Sequence, residues 1–190
     1  MSEPALDFHR SLLARDPGCT DSGLASVRAQ LAMDLLASGD VDAAIAEASA
    51  AIDTDASFAP AWLARAAAHK ARCAWADAAR EFERAAALAP NRAAILINLA
   101  NAYVETGRLS DAEAALRRAI AAAPRNAEAH ASLASVLIRQ EKFAEAETPC
   151  REALAIDPSM VRAHQNLAGI LAATDPEAAR RHRDAAYGRQ

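Results

Sequence analysis

The stretch that decides the fold is AAILINLANAYVETGRLSDAEAALRRAIAAAPRN, residues 93–126. Residues 96–103 repeat apolar side chains at the spacing of one helix face, and residues 112–119 do so again. Gly107 lies between the two segments and is a turn signal, while Pro124 cannot continue the second segment as a helix. The stretch therefore predicts two short amphipathic helices joined by a tight turn.

The same pattern recurs 34 residues away in both directions. Two small residues of the second helix and the proline that follows it show the recurrence. They are Ala78, Ala85 and Pro90 in one copy, Ala112, Ala119 and Pro124 in the next, and Ala146, Ala153 and Pro158 in the third. A constant register without insertions indicates a protein built by stacking one structural repeat.

This pattern resembles the tetratricopeptide repeat (TPR), and the resemblance covers about residues 25–190. It implies an all-α, TPR-type solenoid of helix-turn-helix pairs, with about five repeats wound into a right-handed superhelix. The expected repeats are residues 25–58, 59–92, 93–126, 127–160 and 161–190. Residues 1–24 are expected to form an N-terminal capping helix followed by a loop at 19–23.

Two positions depart from the repeat in ways that affect the backbone. Cys73 replaces the turn glycine, which predicts a tighter or differently shaped turn. Pro149 falls about six residues into a second helix, where it removes a backbone donor and is expected to kink the helix. Two interpretations of Pro149 stay open: a local distortion, or a reshaping of the convex face for a partner.

Composition and charge exclude several classes of function. The net charge of −4, with both signs interspersed, provides no field for nucleic-acid binding. No segment approaches the roughly 20 apolar residues that span a bilayer, and no signal peptide is visible, so membrane insertion is not expected. Three cysteines without close pairs favour a reducing cytosol, and a cytoplasmic location is therefore expected.

No motif of catalysis or cofactor binding is found, whether a Gly-rich phosphate loop, a nucleophile elbow or paired carboxylates. The sequence therefore predicts no enzyme and no cofactor. His130 and His164 lie 34 residues apart, at the repeat position that Trp62 occupies, without the neighbouring thiols or carboxylates of a metal site. We interpret both as filling the tryptophan slot, and Cys150 as a small buried hydrophobe.

In the TPR family the first helix of each repeat lines the concave surface, so we expect the ligand groove there. The groove is expected to be apolar toward the N-terminus and polar toward the C-terminus, and to bind an extended or helical peptide segment. Asparagine amides suit the peptide backbone because they donate and accept hydrogen bonds together. The predicted binding residues are Met33, Leu36, Leu63, Lys70, Ile97, Asn98, Asn101, Glu105, Ser135, Arg139, Gln165 and Asn166.

Two TPR subfamilies can be compared with these positions. Co-chaperones that grip a C-terminal carboxylate carry lysines where this chain has Ala94 and Ile97, so binding of chaperone tails is not expected. The asparagine ladder of TPR-bearing sugar transferases is also incomplete, with Ala64 and Ser132 in place of asparagines.

The sequence thus favours a non-catalytic scaffold or adaptor that binds a peptide segment or a partner protein. Two alternatives remain open. One is a recruiting or regulatory module of a larger bacterial enzyme, such as a transferase. The other is a self-assembling scaffold, a homo-oligomer formed through the ends of the solenoid.

Overall fold

The computed structural model describes His9, Ser11, residues 21–172 and residues 174–188. Every regular element in these residues is a helix, so the all-α prediction is confirmed. None of the described helices combines the length and apolar character that crossing a membrane requires. Apart from His9 and Ser11, which are helical, the expected cap and Cys19 lie outside the described residues.

Residues 1–90 form one compact unit. Its helices are α1 (Asp21–Ser38), α2 (Val41–Thr54), α3 (Ala59–Ala71) and α4 (Trp75–Leu88). The chain pairs α1 with α2 and α3 with α4, and α3 also packs against both helices of the preceding pair. Because α1 begins at Asp21, the prediction of a loop through residue 23 is wrong: a carboxylate in the first turn is favourable there.

His9 lies beside α1. Its Nδ1 is 2.9 Å from Oδ2 of Asp34, a carboxylate whose side chain is only 4% exposed. The other oxygen of Asp34 accepts a hydrogen bond of 3.2 Å from Gln30 Nε2. Asp34 is therefore a buried charge with polar partners, which is the condition under which such groups persist.

Residues 91–190 form the second compact unit. Its helices are α5 (Ala93–Glu105), α6 (Leu109–Ala122), α7 (Ala127–Arg139), α8 (Phe143–Ile156), α9 (Val161–Leu171) and α10 (Pro176–Tyr187). We call α5–α6 the third pair, α7–α8 the fourth and α9–α10 the fifth. Each second helix packs on the first helix of the next pair, and successive first helices also touch.

Alanines account for the close approach of these helices. Ala112 and Ala119 on α6 are fully buried, as are Ala146 and Ala153 on α8. Small side chains at these positions let neighbouring backbones come near, and the larger Leu116 fills the remaining space. The apolar core of this unit is thus built from many small contacts.

The prediction of a differently shaped turn at Cys73 is wrong. At residues 39, 73, 107 and 141 the turn residue donates its N–H to the carbonyl three residues back. The next residue donates to the carbonyl five back, and all these bonds measure 2.8–3.2 Å. Gly39 and Gly107 adopt positive φ, but so do Cys73 (57°) and Glu141 (63°). The packing of the helices therefore imposes the same turn geometry on Cys73 and Glu141, although side chains other than glycine disfavour positive φ.

Pro149 lies inside α8, which runs without interruption from Phe143 to Ile156. The helix has 14 residues, as many as its counterpart α6, and the proline ring is buried. A proline at this depth leaves the carbonyl of Glu145 without its usual donor four residues on.

Candidate functional site

A small polar cavity lies on the face formed by α5, α7 and α9, the first helices of the three pairs in residues 91–190. Its volume is about 200 Å³. The lining residues are Asn101 and Val104 from α5, Ser132, Ser135, Val136 and Arg139 from α7, and Arg162 from α9. The cavity thus brings together three of the predicted binding residues, Asn101, Ser135 and Arg139.

Ser132 is the least expected residue of this cavity. It is 4% exposed, and its hydroxyl has no hydrogen-bond partner among the described residues. A buried hydroxyl without a partner costs about 1–3 kcal/mol. In the sequence, Ser132 flanks the predicted groove stripe of its repeat and stands in the incomplete ladder, 34 residues before Asn166.

Two guanidinium groups give the cavity its charge. Arg139 and Arg162 both line it and both are exposed. Neither side chain forms an ion pair within the described part of the chain. No residue that lines the cavity is acidic, so a ligand carboxylate would meet two donors without a competing anion. Arg162 was not among the predicted binding residues.

The asparagines of this face differ in what they contact. Asn166 Nδ2 donates to Ser135 Oγ at 3.0 Å and so links α9 to α7. Asn98 Nδ2 donates to the carbonyl of Ala94, one turn back on its own helix, at 2.9 Å. Asn101 is the asparagine that lines the cavity, whereas Asn166 positions Ser135.

Three other predicted residues of this unit lie outside the cavity lining. Ile97 is only 5% exposed and belongs largely to the core, so little of its side chain can reach a ligand. Glu105 and Gln165 are exposed.

The four predicted residues at the N-terminal side lie in the unit of residues 1–90. Met33 is 40% exposed, the most accessible large apolar side chain of α1. Leu36 packs against a buried cluster that includes Leu35. Leu63 and Lys70 are half-buried on α3.

The prediction that two histidines fill the tryptophan slot is confirmed by hydrogen bonding. In each case a ring nitrogen contacts the carbonyl six residues earlier. The distances are 2.9 Å from Trp62 Nε1 to Ala56 O, 2.9 Å from His130 Nε2 to Pro124 O, and 3.0 Å from His164 Nε2 to Pro158 O. A carbonyl only accepts, so each ring must donate at that nitrogen.

His164 also contacts a second histidine. Because its Nε2 donates to a carbonyl, neutral His164 accepts at Nδ1, and His182 Nδ1 lies 2.9 Å away as the donor. Burial lowers the pKa of His182, and His164, Arg151 and Arg181 lower it further. No group of three or more potential metal ligands occurs in the described ranges.

Cys150 is a buried small hydrophobe, as predicted. It is fully buried, and burial, together with nearby Glu147, raises the pKa of its thiol to about 12. Its thiolate is therefore scarce at neutral pH, and the residue is unsuited to nucleophilic chemistry.

Comparison with known proteins identifies the repeat. A family model described as "Tetratricopeptide repeat" matches residues 97–161. No curated protein matches the sequence closely enough to count as a relative.

Solved structures provide the match over most of the chain. YrrB, described as a TPR protein with an unusual peptide-binding site, aligns with a TM-score of 0.79 at 18% identity, over 97% of this chain and 93% of its own. MamA aligns with a TM-score of 0.78 at 20% identity, over 84% and 94%. PilF of Pseudomonas aeruginosa aligns with a TM-score of 0.79 at 21% identity, over 90% and 78%. At these identities the likeness establishes the fold, an all-α solenoid of TPR type.

Proposed function

Since this chain belongs to the tetratricopeptide-repeat family, we propose that it is a protein-interaction scaffold that binds a peptide segment on the face of α5, α7 and α9. The similarity to YrrB, whose description names a peptide-binding site, supports a peptide as the ligand. The TPR fold positions binding side chains but does not determine what they bind, so the ligand depends on those side chains.

The observation that carries the proposal is the buried, unpaired hydroxyl of Ser132 beside two arginines without ion-pair partners in the described residues. An unsatisfied buried polar group is maintained against a stability cost, which is typical of ligand sites. Arg139 and Arg162 suit a carboxylate, because guanidinium groups donate paired hydrogen bonds to it. The preferred ligand is therefore a segment with an aspartate or glutamate side chain.

The neighbouring polar groups suit the backbone of the same segment. Asn101 both donates and accepts, and can bond a peptide group that passes along α5. Asn166 fixes the rotamer of Ser135 through the 3.0 Å bond, which holds that wall of the cavity in place. Preorganised side chains of this kind reduce the entropy lost on binding.

Selection from a random peptide library tests this ligand chemistry. We expect the intact protein to enrich sequences with Asp or Glu, and the double variant Arg139→Glu/Arg162→Glu to lose that enrichment. The matched control, Arg118→Glu/Arg125→Glu, reverses two exposed arginines away from the cavity and should behave as the unmodified protein. Equal enrichment by both double variants, or none by the unmodified protein, would contradict the proposal.

Alanine replacement of the asparagines sharpens the test on any peptide so selected. Replacing Asn98 and Asn101 together should weaken binding, and the separate variants should divide the effect unequally. We expect Asn101→Ala to weaken binding about tenfold. Asn98→Ala should have the smaller effect, since its amide is bonded to Ala94. Unchanged affinity in the double variant would exclude this site.

Of the two alternative roles, the first uses the same face of α5, α7 and α9, and the second uses the ends of the solenoid instead. A recruiting module of a larger enzyme would bind its substrate protein there, and the full-length gene would reveal a catalytic domain beside the repeats. A self-assembling scaffold would instead show a mass that rises with concentration in light scattering. We further propose that the protein works in a reducing compartment, which suits the free thiols of Cys73 and Cys150.

A further inference from the structure

A second and larger cavity lies in residues 91–190, on the side of α6 and α8. Its volume is about 540 Å³, and α6, α7 and α8 all contribute to its walls. It shares no lining residue with the cavity between α5, α7 and α9. A ligand bound here would leave the first cavity open.

The floor of this larger cavity is apolar. Leu133 and Leu137 come from α7, Ile120 from α6 and Pro149 from α8. The two leucines are 5% and 1% exposed, so they are held rigidly by the core, while Ile120 is half-buried. A rigid apolar floor of this size accommodates a medium-sized aliphatic or aromatic side chain.

Pro149 places its ring in the wall. It has no N–H, so α8 lacks the hydrogen bond that this residue would otherwise donate to the carbonyl of Glu145. Glu145, Thr148 and Pro149 all line the cavity, which places this side of α8 toward it. The proline ring therefore adds apolar surface to the wall.

The charged groups at the rim are predominantly acidic. Glu145 and Glu152 line the cavity together with Arg117. Arg117 is held by Glu113 at 2.8 Å and lies 3.7 Å from Glu145. Glu113 also binds Lys142 at 2.9 Å. Of the lining charges, Arg117 is already paired with Glu113 and lies near Glu145, whereas Glu152 has no ion-pair partner in the described residues.

We propose that this cavity binds a partner-protein segment in which an apolar side chain stands directly beside a lysine or arginine. The apolar side chain occupies the floor of Leu133, Leu137 and Ile120. The cationic group lies at the rim, where it donates to the carboxylate of Glu152. Apolar burial supplies most of the attraction, and the charges favour basic over acidic segments.

An NMR titration of the intact, ¹⁵N-labelled protein with a terminally blocked Arg-Leu-Arg peptide tests this site. We expect amide shifts at Ile120, Thr148 and Glu152 that saturate, and a Glu-Leu-Glu peptide of the same length should produce much smaller ones. Absence of shifts at the cavity would overturn the proposal. Shifts confined to Asn101, Ser135 and Arg162 would do so as well.

Variants that fill the cavity provide the second arm. Ala121 is an exposed lining residue, so Ala121→Trp should occupy the space without disturbing the core and reduce the shifts at least fivefold. Ala144→Trp, at an exposed position of α8 outside the lining, is the matched control and should bind as the unmodified protein. Pro149→Ala removes part of the apolar wall and should weaken binding about fivefold. Equal shifts in Ala121→Trp and Ala144→Trp would overturn the assignment.

Discussion

The third helix pair, α5–α6, and the fourth, α7–α8, follow the same register, and three of the positions at which they differ affect the backbone or a buried polar group. The third pair has Asn98, Gly107 and Ala115, and the fourth has Ser132, Glu141 and Pro149. In the third pair, Gly107 suits its positive φ and Ala115 suits the interior of a helix. The Asn98 side chain donates a hydrogen bond to the Ala94 carbonyl. In the fourth, a hydroxyl is buried without a partner, a glutamate adopts positive φ and a proline interrupts the helix bonds.

Two of these three departures in the fourth pair line cavities, and Glu141 lines neither. Ser132 lines the smaller cavity and Pro149 lines the larger one. Strained or unsatisfied groups persist only where the surrounding structure supports them, and they concentrate at sites of function. The third pair, which contributes Asn101 and Ile120 to the same two cavities, therefore serves as an internal reference for the three exchanged positions only.

Exchanging the proline between the pairs should have the largest effect. Ala115→Pro in α6 removes a helix hydrogen bond and should cost about 3 kcal/mol of unfolding free energy. Pro149→Ala in α8 restores the bond but loses ring contacts, so we expect a gain of about 1–2 kcal/mol. Urea unfolding monitored by circular dichroism measures both. A loss of stability in Pro149→Ala would show that α8 is adapted to its proline.

Enlarging the buried alanines should affect both pairs alike. Ala112→Leu and Ala146→Leu each overpack a position that is fully buried and should cost about 1–3 kcal/mol. The denaturant midpoints of the two variants measure this. Ala144→Leu, on the exposed side of α8, is the control and should leave the midpoint near that of the unmodified protein. An unchanged midpoint in Ala112→Leu would contradict close helix approach there.

Exchanging the turn residues should have a smaller effect of opposite sign in the two pairs. Glu141→Gly removes a side chain from a left-handed residue and should stabilise by about 0.5–1 kcal/mol. Gly107→Ala should destabilise by about 1 kcal/mol. A Cβ at Gly107 would meet no atom within 4 Å, so that cost is conformational and not steric. Thermal unfolding midpoints decide the sign.

A pH series extends the comparison to the fifth pair, where we expect the smallest effect. His182 has a folded-state pKa below its ordinary value of 6.5, chiefly because of burial. The neutral form is thus favoured by folding, and this contribution is present above pH 6.5 and lost as the pH falls through the folded-state pKa. Acidification should therefore lower the unfolding midpoint.

Matched variants isolate the contribution of His182 to the pH dependence of stability. The cavity around His182 also contains Arg151, Arg181, Asp175 and His164, so the charge of the whole cluster matters. His182→Gln should flatten the fall in stability below pH 6.5, whereas His130→Gln, which removes a slot histidine without such a neighbour, should retain it. An identical pH profile in both variants would assign the dependence to other groups.

Most of the fold could be predicted from the sequence because a repeat presents the same evidence several times. The 34-residue register predicted helix pairs, and α3, α5 and α7 begin at Ala59, Ala93 and Ala127 as the pattern indicates. The turn at Cys73 could not be predicted from its residue type. Its geometry is set by the helices on either side, and that tertiary constraint overrides the local preference.

The burial of the predicted binding residues could not be inferred from the sequence, because spacing alone does not determine it. Ile97 lies on the predicted stripe but is 5% exposed, since a helix packed by several neighbours buries more than one face. Ser132 and Arg162 were in register but carried no separate signal. Whether a hydroxyl has a partner depends on side chains of other helices, which a single sequence does not specify.

The ring N–H groups of Trp62, His130 and His164 indicate which side chains one repeat position can accommodate. What the position requires is an N–H directed at a carbonyl six residues upstream, which indole and imidazole provide with different atoms and different volumes. A phenylalanine would be similar in shape to either ring but has no N–H, so the carbonyl oxygen would lose its hydrogen bond. Homologues should therefore interchange tryptophan and histidine here more freely than either with an apolar ring.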